Sequence, residues 1–146
     1  MTDCAFNDNG SYGVYFENAY YVSDVMDDLQ FSNNLVDGIA VDGGTVSTSR
    51  TWPAFDYIIL NNVAVRNTNY NSGDTITLTL NPGCTLRFAQ GKYMYVGDYY
   101  DCNDFYAEGT EDAPITFTSL NGEVGGWNGL RFYSHTNNAL LKYCVF

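Results

Sequence analysis

The sequence predicts an all-β chain built as a solenoid, in a single domain over residues 1–146. Three observations carry this expectation. Short segments alternate apolar and polar residues, as half-buried strands do. Ile76-Thr77-Leu78-Thr79-Leu80 and Thr85-Leu86-Arg87-Phe88 show it on either side of the turn Asn81-Pro82-Gly83. The composition is the second: 13 Tyr, 9 Phe and 14 Gly stand beside only 6 Lys and Arg, and aromatic residues suit pleated surfaces as Gly suits turns. The third is an internal repeat. Cys4-Ala5-Phe6-Asn7-Asp8-Asn9 aligns with Leu29-Gln30-Phe31-Ser32-Asn33-Asn34 at an offset of 25 residues, which also carries Gly13-Val14-Tyr15-Phe16 onto Gly38-Ile39-Ala40-Val41. Periods of roughly 20 to 50 residues signal stacked repeats.

Between the two copies, Val22, Val25, Met26 and Leu29 are spaced as a helical face behind Ser23, so a helical turn competes with a strand there. The repeat claims Leu29 and Phe31 for the strand. Asn residues follow the strands at Asn7, Asn9, Asn33, Asn34, Asn61, Asn62 and Asn67. Asn tolerates left-handed backbone and bonds neighbouring backbone, and stacked turns would set equivalent Asn side chains against one another. Residues 42–54 break the rhythm with Asp42-Gly43-Gly44 and Ser47-Thr48-Ser49, and read as a loop excursion ending near Trp52-Pro53. Residues 99–112 read as a second one. Long loops on a rigid scaffold often carry function. The remaining strands are Tyr93-Met94-Tyr95-Val96, Ile115-Thr116-Phe117-Thr118, Leu130-Arg131-Phe132 and residues 140–146.

Net charge is −11, from 17 acidic against 6 basic residues. Such a balance offers no basic stripe to phosphates, so nucleic acid is not an expected partner, and neither is an anionic membrane. Neutral partners or cations fit better. No apolar run reaches the length of a membrane span, and Met1-Thr2-Asp3 does not open a secretory signal. Cys4, Cys84, Cys102 and Cys144 form no Cys-x-x-Cys pair, which argues against a zinc site.

The order of motifs from residue 75 onward is strand, Asn-Pro-Gly, strand, Ala107-Glu108-Gly109-Thr110, Ala113-Pro114-Ile115-Thr116-Phe117, Trp127-Asn128-Gly129-Leu130-Arg131-Phe132 and Tyr143-Cys144-Val145-Phe146. This order resembles the repeat grammar of right-handed parallel β-helix proteins, which include bacterial surface proteins and many carbohydrate-active enzymes. The resemblance implies a right-handed parallel β-helix of about six coils and an extracellular or cell-surface location. It also implies one of two roles: a non-catalytic module binding a neutral glycan or a protein partner, or a polysaccharide-degrading enzyme, glycosidase or lyase, or a fragment of one. Neither end shows an amphipathic capping helix, so a homo-oligomer through uncapped coil ends, or a structural module stacking end to end, is the third expectation.

Candidate site residues follow from chemistry. Exposed Tyr rings give apolar area and hydroxyl hydrogen bonds, which suit sugar rings. If Met94 and Val96 point inward, Tyr93 and Tyr95 share the outer face as a flat aromatic row. Tyr99, Tyr100 and Trp52, on the excursions, extend the candidate glycan surface. Glycosidases need two carboxyl groups across the scissile bond, and Asp37, Asp42 and Asp56 are the nearest set to consider. Calcium takes carboxylate oxygens, which Asp98, Asp101 and Asp104 could supply, although no EF-hand spacing accompanies them and solvated acidic turns explain them as well. His135 lies in a Ser-His-Thr-Asn-Asn turn and reads as a surface residue.

Overall fold

The computed structural model describes residues 1–22, 26–69, 73–97 and 103–146. In chain order the strands begin with β1 (Thr2–Asn7), β2 (Tyr12–Phe16), β3 (Asp27–Ser32), β4 (Val36–Val41) and β5 (Gly44–Val46). Next come β6 (Arg50–Trp52), β7 (Asp56–Ile59), β8 (Val63–Val65), β9 (Ile76–Leu80), β10 (Thr85–Phe88) and β11 (Met94–Val96). The chain finishes with β12 (Asn103–Glu108), β13 (Ile115–Ser119), β14 (Leu130–Phe132), β15 (Thr136–Lys142) and β16 (Cys144–Val145). A 3-10 turn, Ala19–Tyr21, is the only helical element among the described residues. The protein is all-β.

All strand pairs among the described residues are parallel. They form four sheets: A (β1-β3), B (β16-β13-β10-β7-β4-β2), C (β14-β11-β8-β5) and D (β15-β12-β9-β6). From β4 onward consecutive strands enter sheets B, C and D in a fixed rotation, so neighbours among them are three positions apart in the chain, and β4 also pairs with β2. No hairpin can do this, because parallel neighbours must be joined by a crossover. The offset of 25 in the sequence is the pairing offset itself. Cys4 faces Leu29 and Phe6 faces Phe31 in sheet A, while Val14 faces Ile39 and Phe16 faces Val41 in sheet B.

One face of each sheet is apolar. Ile39, Tyr57, Leu86 and Phe117 form one in-register row of sheet B, and Val41, Ile59 and Phe88 form the next, all with no exposure. Neighbouring strands, and the Trp127 segment beside sheet B, bring rings together. Phe6 stacks on Phe31 at 5.5 Å, Phe88 on Trp127 at 4.5 Å and Phe117 on Phe146 at 5.2 Å between centroids. Stacking also extends to polar positions. Asn9 donates its side-chain amide to Asn34 Oδ1 at 2.7 Å, and Ser32 donates to Asn7 Oδ1 at 2.7 Å, each across one repeat. Asn9 and Asn34 thus meet the expectation for stacked turns, whereas the equivalent of Asn7 is Ser32.

Three expectations need correction. Residues 42–54 are not a loop excursion, because they contain β5 and β6, paired with β8 and β9. Gly43 and Gly44, at φ of 80° and 96°, make a tight corner between sheets B and C. A Cβ on Gly43 would stand 2.6 Å from the Asn62 carbonyl oxygen, and one on Gly44 would meet the Asn18 side chain. The glycines that suggest a loop are there because no side chain fits. Trp52 is correspondingly not on a surface. It is fully buried in β6, its ring 5.0 Å from that of Tyr57. Residues 99–112 likewise contain β12, an interior strand of sheet D whose Asn103, Phe105 and Ala107 are buried. The helical face proposed for Val22, Val25, Met26 and Leu29 falls partly on residues 23–25, outside the described residues; Val22 and Met26 are buried, and Leu29 belongs to β3.

Truncating Trp52 therefore removes core volume. Trp52→Ala is expected to lower unfolding free energy by about 3–5 kcal/mol, read from the urea midpoint, where a surface ring would cost under about 0.5 kcal/mol.

Candidate functional site

Sheet C has short strands and a distinctive outer face. Its register aligns Gly44, Val63, Met94 and Leu130 in one row, then Thr45, Ala64, Tyr95 and Arg131, then Val46, Val65, Val96 and Phe132. Strand alternation sends the first and third rows inward, where Met94 and Val96 are buried, and the middle row outward. Tyr93 lies two residues before Tyr95 and shares its side. Its backbone N–H is fixed by Asn62 Oδ1 at 3.1 Å. Tyr133 lies two residues after Arg131, fixed by its N–H bond to the Val96 carbonyl at 3.0 Å.

These positions build a compact cluster on two neighbouring strands. The rings of Tyr93 and Tyr95 lie 6.0 Å apart at 42°, and those of Tyr95 and Tyr133 lie 5.5 Å apart at 57°. The Arg131 guanidinium carbon sits 3.9 Å from the Tyr93 ring centroid, a cation–π contact that fixes both side chains. The rings are inclined to one another, so the expected flat row is instead an angled surface. Ala64, beside Tyr95 in register, is buried although it faces outward. Tyr93 and Tyr95 are half-buried, whereas Tyr133 is exposed. A ring held in this way loses little freedom when a ligand arrives.

Sequence reasoning names Tyr93 and Tyr95 and misses Arg131 and Tyr133. Alternation within Leu130-Arg131-Phe132-Tyr133 is enough to put both on one face, but only the pairing of β11 with β14 puts them beside Tyr95. Tyr99 and Tyr100 lie outside the described residues. Trp52, in the core, belongs to no surface.

The carboxylates proposed for catalysis are each engaged separately. Asp37 Oδ1 accepts from the Asn34 backbone N–H at 3.0 Å and from the Asn34 side chain at 2.8 Å. Asp42 accepts from the Tyr15 hydroxyl at 2.8 Å and from Asn61 at 2.7 Å; the bond to Asp42 is also the main reason the Tyr15 hydroxyl titrates above its usual range. Asp56 forms an ion pair with Arg87 at 2.7 Å, while its Oδ1 is buried with no hydrogen-bond partner. Burial outweighs the Arg87 guanidinium and holds the Asp56 carboxyl above the usual carboxylate range.

Asp98 and Asp101 lie outside the described residues. Asp104 is nearly buried, and its Oδ1 accepts from the Asn138 backbone N–H at 3.0 Å, the Asn138 side chain at 3.1 Å and the Asn137 side chain at 3.4 Å. Its other oxygen accepts from the Tyr106 hydroxyl at 3.2 Å. Asp104 anchors β15 to β12. Among the described residues, no group of three or more His, Cys, Asp or Glu is placed to hold a metal ion. Cys4, Cys84 and Cys144 are free thiols, and burial pushes the Cys84 thiol up to about 12, which keeps it unreactive at neutral pH.

The Asp56 shift has a defined sign. Because its folded pKa is raised, the native state holds the proton more tightly than the unfolded chain, so its contribution to stability falls as pH rises from the ordinary value of 3.8 towards the folded one. Asp56→Asn is expected to remove this fall. The melting-temperature difference between variant and parent should shift in favour of the variant on going from about pH 3 to about pH 6.

No protein-family model, curated protein or solved structure matches this chain.

Proposed function

We propose that this chain is a right-handed parallel β-solenoid of about six coils that serves as a non-catalytic binding module for a neutral glycan. The rotation of consecutive strands through sheets B, C and D supports the coil reading, and sheet A supplies the same position for the first two turns. Right-handedness rests on the strong bias of parallel crossover connections.

The observation that carries the binding reading is the cluster of Tyr93, Tyr95, Tyr133 and Arg131 on the outer face of sheet C. Three inclined rings offer apolar faces to a sugar. Arg131 covers one face of Tyr93 while keeping edge N–H donors for hydroxyl groups. A net charge of −11 works against polyanionic ligands and leaves neutral polysaccharides favoured. A protein partner would use the same exposed aromatic residues.

A polysaccharide-degrading role is supported by one observation, the carboxyl of Asp56 held above the usual carboxylate range by burial, the direction of shift that a general acid needs. The two acids weighed with it, Asp37 and Asp42, are instead tied to Asn34 and to Tyr15 with Asn61.

The test is affinity electrophoresis on a panel of neutral polysaccharides, with product analysis of the same mixtures. Retardation without chain shortening is expected, and Tyr95→Ala and Tyr133→Ala should each weaken it by about fivefold to tenfold, equivalent to a stacking contact of about 1 kcal/mol. Shortening that Asp56→Asn abolishes would establish the enzymatic reading instead. Migration unchanged by any polysaccharide would reject both.

A further inference from the structure

The tyrosine rings on sheet C are set at angles that no flat surface can satisfy. A crystalline polysaccharide presents a single plane, and aromatic side chains stack on one plane only when their own faces are parallel. Here the ring of Tyr95 is turned 42° from that of Tyr93 and 57° from that of Tyr133. A plane laid flat on Tyr95 therefore meets both other rings obliquely and loses their face contact. The rings are close as well as inclined, with centroids 6.0 Å and 5.5 Å apart. One chain crossing the cluster can touch all three, provided that its own sugar rings turn as it passes.

These angles are held by contacts on the inner and outer sides. Tyr93 and Tyr95 alternate with Met94 and Val96, both buried, so their backbone cannot shift without moving the core. The Arg131 guanidinium carbon lies 3.9 Å from the Tyr93 centroid, which occupies one face of that ring and leaves the other for a ligand. Neutral polysaccharides divide by shape. In β-1,4-linked glucans and mannans successive sugars are turned by about half a turn, so their rings fall into one flat ribbon. In α-1,4-linked and β-1,3-linked glucans each sugar is turned only part of the way, and the chain coils. A ribbon offers parallel faces to rings that are not parallel, whereas a coiled chain offers inclined ones.

We propose that the ligand of this surface is a single coiled chain of neutral glucan, taken in preference to a flat β-1,4-linked ribbon or a crystalline face. The open face of Tyr93 and the rings of Tyr95 and Tyr133 receive successive stretches of it. Arg131 is the positioning residue that fixes the angle of Tyr93. Preference for one chain shape over another is a difference between two affinities, and rings locked in place enforce it because they cannot realign on the wrong chain. This inference rests on the glycan reading and adds the shape of the ligand to it.

The test compares chain shapes on the unaltered protein. Affinity electrophoresis is run in gels containing soluble starch, a soluble β-1,3-glucan or glucomannan, a soluble β-1,4-linked chain, beside co-sedimentation with microcrystalline cellulose. At least one coiled glucan should give half-maximal retardation at a concentration at least about fivefold below that of glucomannan, as the loss of one stacked ring predicts, and cellulose should not deplete the protein. Whichever of starch and β-1,3-glucan retards more strongly identifies the linkage. Arg131→Gln releases Tyr93 and should bring the ratio of the two affinities towards one, whereas general damage to the fold would lower both and leave their ratio unchanged. A smaller preference in the parent, depletion by cellulose, or a ratio that Arg131→Gln does not move would overturn the proposal while leaving glycan binding in place. Failure of every polysaccharide to retard the protein would reject the glycan reading and this inference with it.

Discussion

Parallel, in-register pairing is the constraint on which the rest of this structure depends. When each strand sits beside its equivalents, every side chain meets the same position of the strand before and the strand after it. An inward position must then be apolar repeatedly, as in the row Ile39, Tyr57, Leu86 and Phe117. A polar position must find a bonding partner in its own equivalent, as Asn34 does in Asn9. Corners obey the same rule, because backbone from neighbouring segments converges there. At Gly97, with φ of 83°, a Cβ would lie 2.8 Å from the Thr136 backbone nitrogen, so no larger residue fits without moving the chain.

The surface cluster is a product of the same constraint. Tyr95 and Arg131 are 36 residues apart and have no local reason to meet. Register brings them side by side, and the alternation of each strand then adds Tyr93 and Tyr133 on the same face. The Tyr93 and Tyr95 rings rest on a strand whose inner side is packed, with Met94 and Val96 buried beneath. Their positions are set by the core rather than by a loop. Packed interiors resist deformation, so a surface built on them is held in one geometry.

How much of this was legible in the sequence depends on the range of the interaction concerned. The strands of the second half, such as Ile76-Thr77-Leu78-Thr79-Leu80, declare themselves by alternation, which is local. The pairing of β1 with β3 and of β2 with β4 is legible because the sequence repeats at the pairing offset. Residues 42–54 mislead because β5 and β6 have only three residues each, too short for alternation to stand out, and the Gly-Gly corner between β4 and β5 has the composition of a loop. Trp52 is misread for the same reason. The acids Asp37, Asp42 and Asp56 look equivalent in sequence, and only the fold assigns them to Asn34, to Tyr15 with Asn61, and to Arg87.

The acids are spread along the chain rather than gathered at one end, from Asp3, Asp8 and Glu17 near its start to Glu108, Glu111, Asp112 and Glu123 late in it. The overall charge of −11 therefore acts as a distributed one that disfavours polyanions along the whole molecule, and ionic strength screens it over about a Debye length, roughly 8 Å in physiological salt.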